Sequence, residues 1–437
     1  MAAPNENQLQ FLESEGIIEK GKSWQDVLES LAHRLCRQIW PQANPDTTTV
    51  RSLGSGNFNV VLEIEINGLG KPKNYRATDV TRDLEYPRPP VDESALDGDG
   101  AGVMVLRIPR SADGLERTVA VLGYLKKQAA LQQVPRLLCY DTTPHNPMGL
   151  RYVITSRIAG IPLEESLANR NLKQGQKLAL AREVAQFYRQ MQGVRSEVAG
   201  DIEADPDRDL GEGEVLVRAS GSAPGAGVTA SQANHGESSG AKFLVDAYER
   251  KLTEAQLDAR SPLRPFTREL QVCLVIAQEL LRTSALADDK QGGGFSLCHT
   301  DLFPRNVMVD PSSSSTGPVL TGVIDWDEAI FAPRFATCLP PVWLWQEPGR
   351  QVDEVERFGA EWSAADSAEH LEVKRAFEEA MGPEYARLVY EPEFVIARRL
   401  LKFARAPTWL WRDWYVQQID EMSREWQGIL NRGIESS

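Results

Sequence analysis

The sequence has no apolar run approaching the roughly 20 residues that a helical membrane span requires. Its opening, Met1-Ala2-Ala3-Pro4-Asn5-Glu6-Asn7, is polar and lacks the apolar core of a signal peptide. No membrane partner is expected. Cysteine is scarce: Cys36, Cys139, Cys273, Cys298 and Cys338 are widely spaced, odd in number, and none forms a C-x-x-C pair. Neither a disulfide framework nor a zinc site is indicated, and the simplest expectation is a soluble protein of a reducing compartment, the cytoplasm. Basic charge is also short, with 48 Lys and Arg against 62 Asp and Glu, a net charge of -14. A nucleic-acid backbone wants a basic face, so nucleic acid is not expected as a partner. The acidic balance either steers a neutral or amine-bearing substrate or simply keeps the chain soluble. There is no internal repeat.

What is present is enough chain, 437 residues, for two or more domains with a large core. Ser23-Trp24-Gln25-Asp26 reads as a capping box opening a helix through Ile39, with Leu28, Leu31 and Leu35 on one side. Strands are expected at Thr47–Leu53, Phe58–Ile66, Val103–Ile108, Val134–Tyr140 and Tyr152–Ile158, and a helix at Leu115–Lys127. Residues 67–100 read as a long polar insertion. Beyond Ala159-Gly160 the pattern turns helical, with long amphipathic stretches at Lys173–Gln192 and Phe266–Arg282 and again from Glu369. Residues 203–241, rich in Gly, Ser and Ala, read largely as a loop or lid. The expected fold is α+β with two lobes: an N-terminal extension over 1–45, a small strand-rich lobe over 46–158, and a larger, mainly helical lobe over 159–437. A ligand is expected in a cleft between them.

Two stretches carry the chemistry. His299-Thr300-Asp301-Leu302-Phe303-Pro304-Arg305-Asn306 follows a short apolar strand and precedes another, Val307-Met308-Val309. Ile324-Asp325-Trp326-Asp327 ends a second apolar run. H-x-D-x-x-x-x-N followed by a strand ending in Asp is a phosphoryl-transfer arrangement. A carboxylate at Asp301, on a loop held at both ends, can orient a hydroxyl and take its proton. Asn306 and Asp325 supply the oxygen donors that Mg²⁺ favours. Asp327 is either a further metal ligand or a loop-stabilising acid, and Arg305 either meets phosphate or pairs with an acid. His299 is assigned to holding the loop together, and Trp326 to packing. The later Trp343, Trp345, Trp409, Trp411 and Trp414 read as core. Gly54-Ser55-Gly56-Asn57, between two strands, is either a plain turn or a Gly-rich loop whose backbone N–H groups approach a phosphate chain. Arg107, inside the apolar run Val103–Ile108, either contacts nucleotide phosphate or faces solvent at an edge.

The two late motifs resemble the aminoglycoside phosphotransferase family, in particular its large fungal branch, related to choline and homoserine kinases. Leu106-Arg107-Ile108-Pro109, Val134-Pro135-Arg136-Leu137 and Gly160-Ile161-Pro162-Leu163 resemble further segments of that branch, and the likeness spans residues 45–350. The resemblance implies a bilobal protein-kinase-like fold, ATP or GTP with Mg²⁺, and transfer of a γ-phosphate to a hydroxyl of a small molecule. It makes Asp301 the base, Asn306 and Asp325 the magnesium ligands, and Ser156 to Ile158 the connector against the nucleotide base. Aligning on Tyr124-Leu125 puts Thr118 where the family's helix Glu would pair the cation at 107, with Glu116 two residues away. Phe303 stands where protein kinases usually carry Lys, Asp325-Trp326-Asp327 replaces D-F-G, and there is no A-P-E segment. These differences point away from a protein substrate. The competing readings are a kinase-like scaffold that binds a ligand without this chemistry or is repurposed for another transfer, and, third, a protein kinase.

Overall fold

The computed structural model describes residues 24–40, 45–55, 59–67, 101–110, 114–205, 215–218, 228–229, 240–283, 286, 294–313, 317–347, 363–405 and 413–435. Contacts divide the chain into two compact units. The first is built from the chain up to Ile158 and the second from Ala159 onward. Ala130–Gln132 go with the second, and a piece beginning at Ala204 goes with the first.

The first unit holds an antiparallel five-stranded sheet made of β1 (Thr48–Ser55), β2 (Asn59–Asn67), β3 (Ala101–Pro109), β4 (Leu137–Asp141) and β5 (Tyr152–Ser156), in the order β1-β2-β3-β5-β4. Alternation along β3 gives its two faces different work. Met104, Leu106 and Ile108 are buried beneath helix α1 (Trp24–Ile39). Val27, Leu28, Leu31, Ala32, Leu35, Cys36 and Ile39 recur at helical spacing along α1 and join Leu62, Ile64 and Ile66 of β2 in the same core. Arg107 alternates to the other face, half-buried, in register with Val61 of β2 and Val153 of β5. Helix α2 (Leu115–Lys126) packs Leu115, Val119 and Leu122 against Leu137 and Val153.

Several strand limits differ from expectation: β3 starts at Ala101, and β1 runs on to Ser55, into the expected turn. β4 starts at Leu137 rather than Val134, since Pro135 has no N–H for a ladder. β5 ends at Ser156, leaving Arg157 and Ile158 as connector. Gly54 and Ser55 close β1 after a register shift between Ser52 and Gly54. Gly56, Asn57 and Phe58 lie outside the described residues, as does 68–100, nearly all of the expected insertion.

The second unit contains helices α3 (Leu163–Ala168), α4 (Gln174–Gly193), α5 (Gly240–Leu257), α6 (Thr267–Arg282), α7 (Ala368–Met381), α8 (Pro383–Tyr390), α9 (Pro392–Arg405) and α10 (Asp413–Glu435). Two small sheets lie among them. One has the order β13-β12-β6, from β6 (Ile161–Pro162), β12 (Val307–Val309) and β13 (Leu320–Val323). The other has the order β10-β9-β8-β14-β11-β7. Its strands are β7 (Arg195–Ser196), β8 (Gly200–Ala204), β9 (Val215–Arg218), β10 (Val228–Thr229), β11 (Phe295–Cys298) and β14 (Ile330–Ala332).

Residues 203–241 are thus not simply a loop. The end of β8, all of β9 and β10, and the start of α5 lie inside that stretch. Val215 and Val217 are buried, and the surrounding Gly, Ser and Ala masked their short alternation. The remainder of the stretch from 206 lies outside the described residues. Trp343 and Trp345 are buried, as expected, whereas Trp409, Trp411 and the side chain of Trp414 lie outside the described residues. Gly160 enters the second unit at φ 92°, where a Cβ would lie 2.2 Å from the Val309 carbonyl oxygen. Only glycine lets β6 approach β12 this closely.

Leu31 is 1% exposed at the centre of the α1–sheet contact. Leu31→Ala removes that packing and leaves a cavity, so it should cost about 2–5 kcal/mol. The urea unfolding midpoint of the first unit reads this, and a change under about 0.5 kcal/mol would contradict the packing described.

Candidate active site

The two chemical motifs are loops that cross between the same two sheets. Cys298 of β11 is opposite Ile330 of β14 in the larger sheet, and Val307 of β12 is opposite Val323 of β13 in the smaller one. The loop 299–306 leaves β11 and enters β12. The loop 324–329 leaves β13 and enters β14. Strand pairing at both ends therefore lays them side by side.

The joint between them is the backbone of Ile324. Its N–H donates to the Asn306 carbonyl at 2.9 Å, and its carbonyl accepts from His299 Nε2 at 2.9 Å. Because the carbonyl can only accept, Nε2 carries the proton and Nδ1 is the bare nitrogen. Burial pushes the His299 pKa down to about 4, against the smaller upward pull of the Ile324 carbonyl and of Asp301 and Asp327. The ring is therefore neutral at pH 7. It meets Trp326 edge-on, centroids 4.6 Å apart, and Trp326 in turn meets Phe187 of α4 at 6.1 Å. Trp326 is 1% exposed and donates to the Val323 carbonyl at 2.9 Å. His299 and Trp326 thus hold the loops together.

Asp301 receives donors from its own loop. Arg305 Nη2 straddles the carboxylate, 2.7 Å from Oδ1 and 2.9 Å from Oδ2. Asn306 Nδ2 donates to Asp301 Oδ2 at 2.8 Å and to the Asp301 carbonyl at 2.8 Å. The Arg305 guanidinium lies 4.8 Å over the Phe303 ring. Of the two roles open to Arg305 from sequence, the structure shows pairing with an acid. The Asn306 nitrogen is committed to Asp301, so its oxygen is the atom available to a hard cation.

Asp325 is exposed and adopts φ 66°, and Thr300 in the other loop adopts φ 62°. Left-handed backbone at non-glycine residues persists only where surroundings impose it. The Ile324 clamp imposes it at Asp325, and the bond from Thr300 Oγ1 to the Glu328 carbonyl, 3.0 Å, imposes it at Thr300. Glu183 of α4 accepts from the N–H of Val319 at 3.0 Å and of Leu320 at 2.6 Å, anchoring the start of the strand that leads to Asp325. Asp327 is half-buried beside Trp326. Among the described residues no group of three or more His, Cys, Asp or Glu side chains forms a metal site alone. A magnesium ion fits the oxygen donors of Asn306, Asp325 and Asp327 only if substrate phosphates and water complete its shell, which is its usual habit in such sites.

The residues expected at a nucleotide lie in the first unit. Gly54 is exposed, and a Cβ there would meet nothing within 4 Å, so crowding within the protein does not explain the glycine. Gly56 and Asn57 lie outside the described residues, as does the Ser55 side chain. Ser156 donates its N–H to the Arg136 carbonyl at 2.9 Å, and its hydroxyl accepts from the Arg136 N–H at 2.9 Å. Thr118 is buried and bonded to the Gly114 carbonyl, while Glu116 pairs with Arg151 at 3.6 Å. Sequence reasoning missed Glu63, which pairs with both Arg51 and Arg157. The only signal was an acid inside the apolar run Val60–Ile66.

Residues 92–366, more than half of the chain, match the model of the phosphotransferase enzyme family. The chain belongs to that family. The expected α+β kinase-like fold, a strand-rich unit followed by a mainly helical one, is borne out with it. Among solved structures, the GDP complex of wild-type aminoglycoside 2'-phosphotransferase-IIIa is 16% identical, covering 92% of this chain and 99% of its own, with a TM-score of 0.40. The streptomycin–ATP ternary complex of APH(2″)-IIa is 14% identical over 93% of this chain and 99% of its own, TM-score 0.42. A Plasmodium vivax ethanolamine kinase is 11% identical over 98% of this chain and 95% of its own, TM-score 0.43. No curated protein shows a significant match. No helix among the described residues is long and apolar enough to cross a membrane.

The buried, neutral His299 makes the phosphotransferase acid-sensitive. Its pKa rises from about 4 in the fold to about 6.5 on unfolding, so the unfolded chain binds the extra proton. The stability this neutral ring confers is whole above pH 6.5 and is lost as pH falls from 6.5 to about 4. The loss runs up to about 1.4 kcal/mol per pH unit. In His299→Gln, urea unfolding across that window should show a shallower slope. An unchanged slope would contradict this protonation state.

Proposed function

We propose that this phosphotransferase moves the γ-phosphate of ATP or GTP, with Mg²⁺, to a hydroxyl of a small molecule. Asp301 is the base on this reading. The observation that carries it is the Asp301 carboxylate, fixed by Arg305 and Asn306 on a loop that is clamped through Ile324 to the loop of Asp325. A carboxylate so placed orients the acceptor hydroxyl and takes its proton as the oxygen attacks phosphorus. The pairing with Arg305 is exposed and gives way to the hydroxyl. Asn306, Asp325 and Asp327 hold the metal, which when bound offsets phosphate charge. Arg107 and the Gly54–Asn57 turn contact the phosphates, and Ser156 to Ile158 line the base. The acids at 301, 325, 327 and 328 and the net charge of -14 suit an amine-bearing acceptor. The protein works in the cytoplasm.

The straddling Arg305 supports a second reading, a scaffold that binds nucleotide without transfer, because both oxygens of the base are engaged. Thermal unfolding with ATP, GTP and ADP, with and without Mg²⁺, separates the two when paired with a turnover assay over hydroxylated metabolites. The proposal expects a magnesium-dependent rise in Tm that Asp325→Ala abolishes. It expects turnover that Asp301→Asn lowers by about 10²–10⁴-fold while the Tm rise remains. A Tm rise without turnover on any acceptor favours the scaffold, and normal turnover by Asp301→Asn refutes the assignment of the base.

A further inference from the structure

Glu63 is 2% exposed in the middle of β2, on the sheet face that also carries Arg107. Alternation with Leu62 and Ile64 would place it toward solvent, so its burial requires a cause. A buried carboxylate is costly unless paired, and a packed apolar side chain there would usually be no less stable. Two cations meet it: Arg51, opposite it on β1, and Arg157, 94 residues further along. The two differ in what else they hold. Arg51 is largely exposed, and among the described residues its side chain contacts only Glu63 in this way. Arg157 uses Nε for Glu63 and Nη1 for the Ile158 carbonyl, 2.6 Å away. Its own N–H donates to the Val103 carbonyl of β3 at 3.3 Å.

The planar guanidinium is therefore a bracket with one arm on the buried acid and the other on the connector backbone. It fixes the peptide group that follows Ile158. With Ser156 tied to Arg136, the connector's N–H groups at 156 and 157 are already used within the protein. The Ile158 N–H, on the peptide between the held Arg157 N–H and the held Ile158 carbonyl, is the next donor, and an N–H is what N1 of adenine or O6 of guanine accepts.

We infer that Glu63 is a positioning residue for the nucleotide base: through Arg157 it sets the Ile158 backbone against which a purine edge is read. This rests on the nucleotide reading above and adds to it a residue that reading does not use. The test compares two ligands by calorimetric titration, ATP with Mg²⁺ and inorganic tripolyphosphate with Mg²⁺. The second has the phosphates but no base.

Glu63→Gln should weaken ATP by about tenfold or more and leave tripolyphosphate within about twofold. Arg157→Gln should do the same, and it serves if Glu63→Gln does not fold, because its side chain is 27% exposed. The double variant should be no worse than either single one, since both remove one bracket. Arg51→Gln should leave both ligands unchanged. Equal weakening of ATP and tripolyphosphate would show a merely structural acid and overturn the inference, as would unchanged ATP affinity in both single variants. Absence of ATP and GTP binding by the unaltered protein would instead overturn the nucleotide reading itself, and this inference with it.

Discussion

The arrangement at the centre of this protein depends on one residue's backbone. Ile324 gives its N–H to Asn306 and its carbonyl to His299. Each of those partners stands at an end of the loop that carries Asp301. Loss of either bond frees one loop to move against the other. The neutral histidine suits this joint because a neutral ring can be buried without a counter-charge, at the cost of acid sensitivity. Trp326 closes the joint from below, so the polar clamp is shielded from water on the side toward Phe187. The strained backbone at Thr300 and Asp325 is then affordable, held by bonds to Glu328 and by the Ile324 clamp.

Much of this was legible in sequence, and the reasons are specific. Helix α1 begins and ends where its periodicity says, because Leu28, Leu31 and Leu35 bury a single stripe. A hold at both ends of the Asp301 loop is legible from the apolar residues on either side of it, and β11 and β12 supply it, whereas the pairing of that loop with 324–329 is not. The loop-holding role expected of His299 and the packing expected of Trp326 agree with the bond to Ile324 and the buried indole, but the neutral state of the ring comes from its burial in the fold. What was not legible came from distance along the chain. Glu63 alternates as a solvent-facing residue would, and its burial is decided by an arginine 94 positions later. β9 and β10 are too short to announce themselves among Gly, Ser and Ala, and they become strands by pairing, β9 beside β8 and β10 on β9. Helix α5 starts at the edge of that same composition, so its first residues carry the composition of a loop.

The two ion pairs on which the proposed chemistry turns are built differently, and the difference matches what each must do. Arg305 and Asp301 are 54% and 33% exposed, four residues apart on one loop. Such a pair is worth no more than about 1 kcal/mol, since water screens it and competes for both partners. A base that must exchange its partner for a substrate hydroxyl wants this kind of contact. Phe303 lies under the guanidinium, which would keep the cation near Asp301 when, on the proposed reading, the carboxylate turns to a hydroxyl. In this way the chain keeps a cation beside Asp301 although Phe303 occupies the position where protein kinases usually have Lys.

Glu63 and Arg157 are the opposite case. The acid is 3% exposed at its side chain and the arginine 27%, so the pair is poorly screened, and breaking it leaves the buried carboxylate only the largely exposed Arg51. That contact is suited to holding a backbone in place. An exchangeable pair at the connector would let the base-reading edge drift, and a buried pair at Asp301 would keep the base from its substrate. On the proposed reading, the exposures fit a division of labour in which the connector is fixed and Asp301 is released on demand.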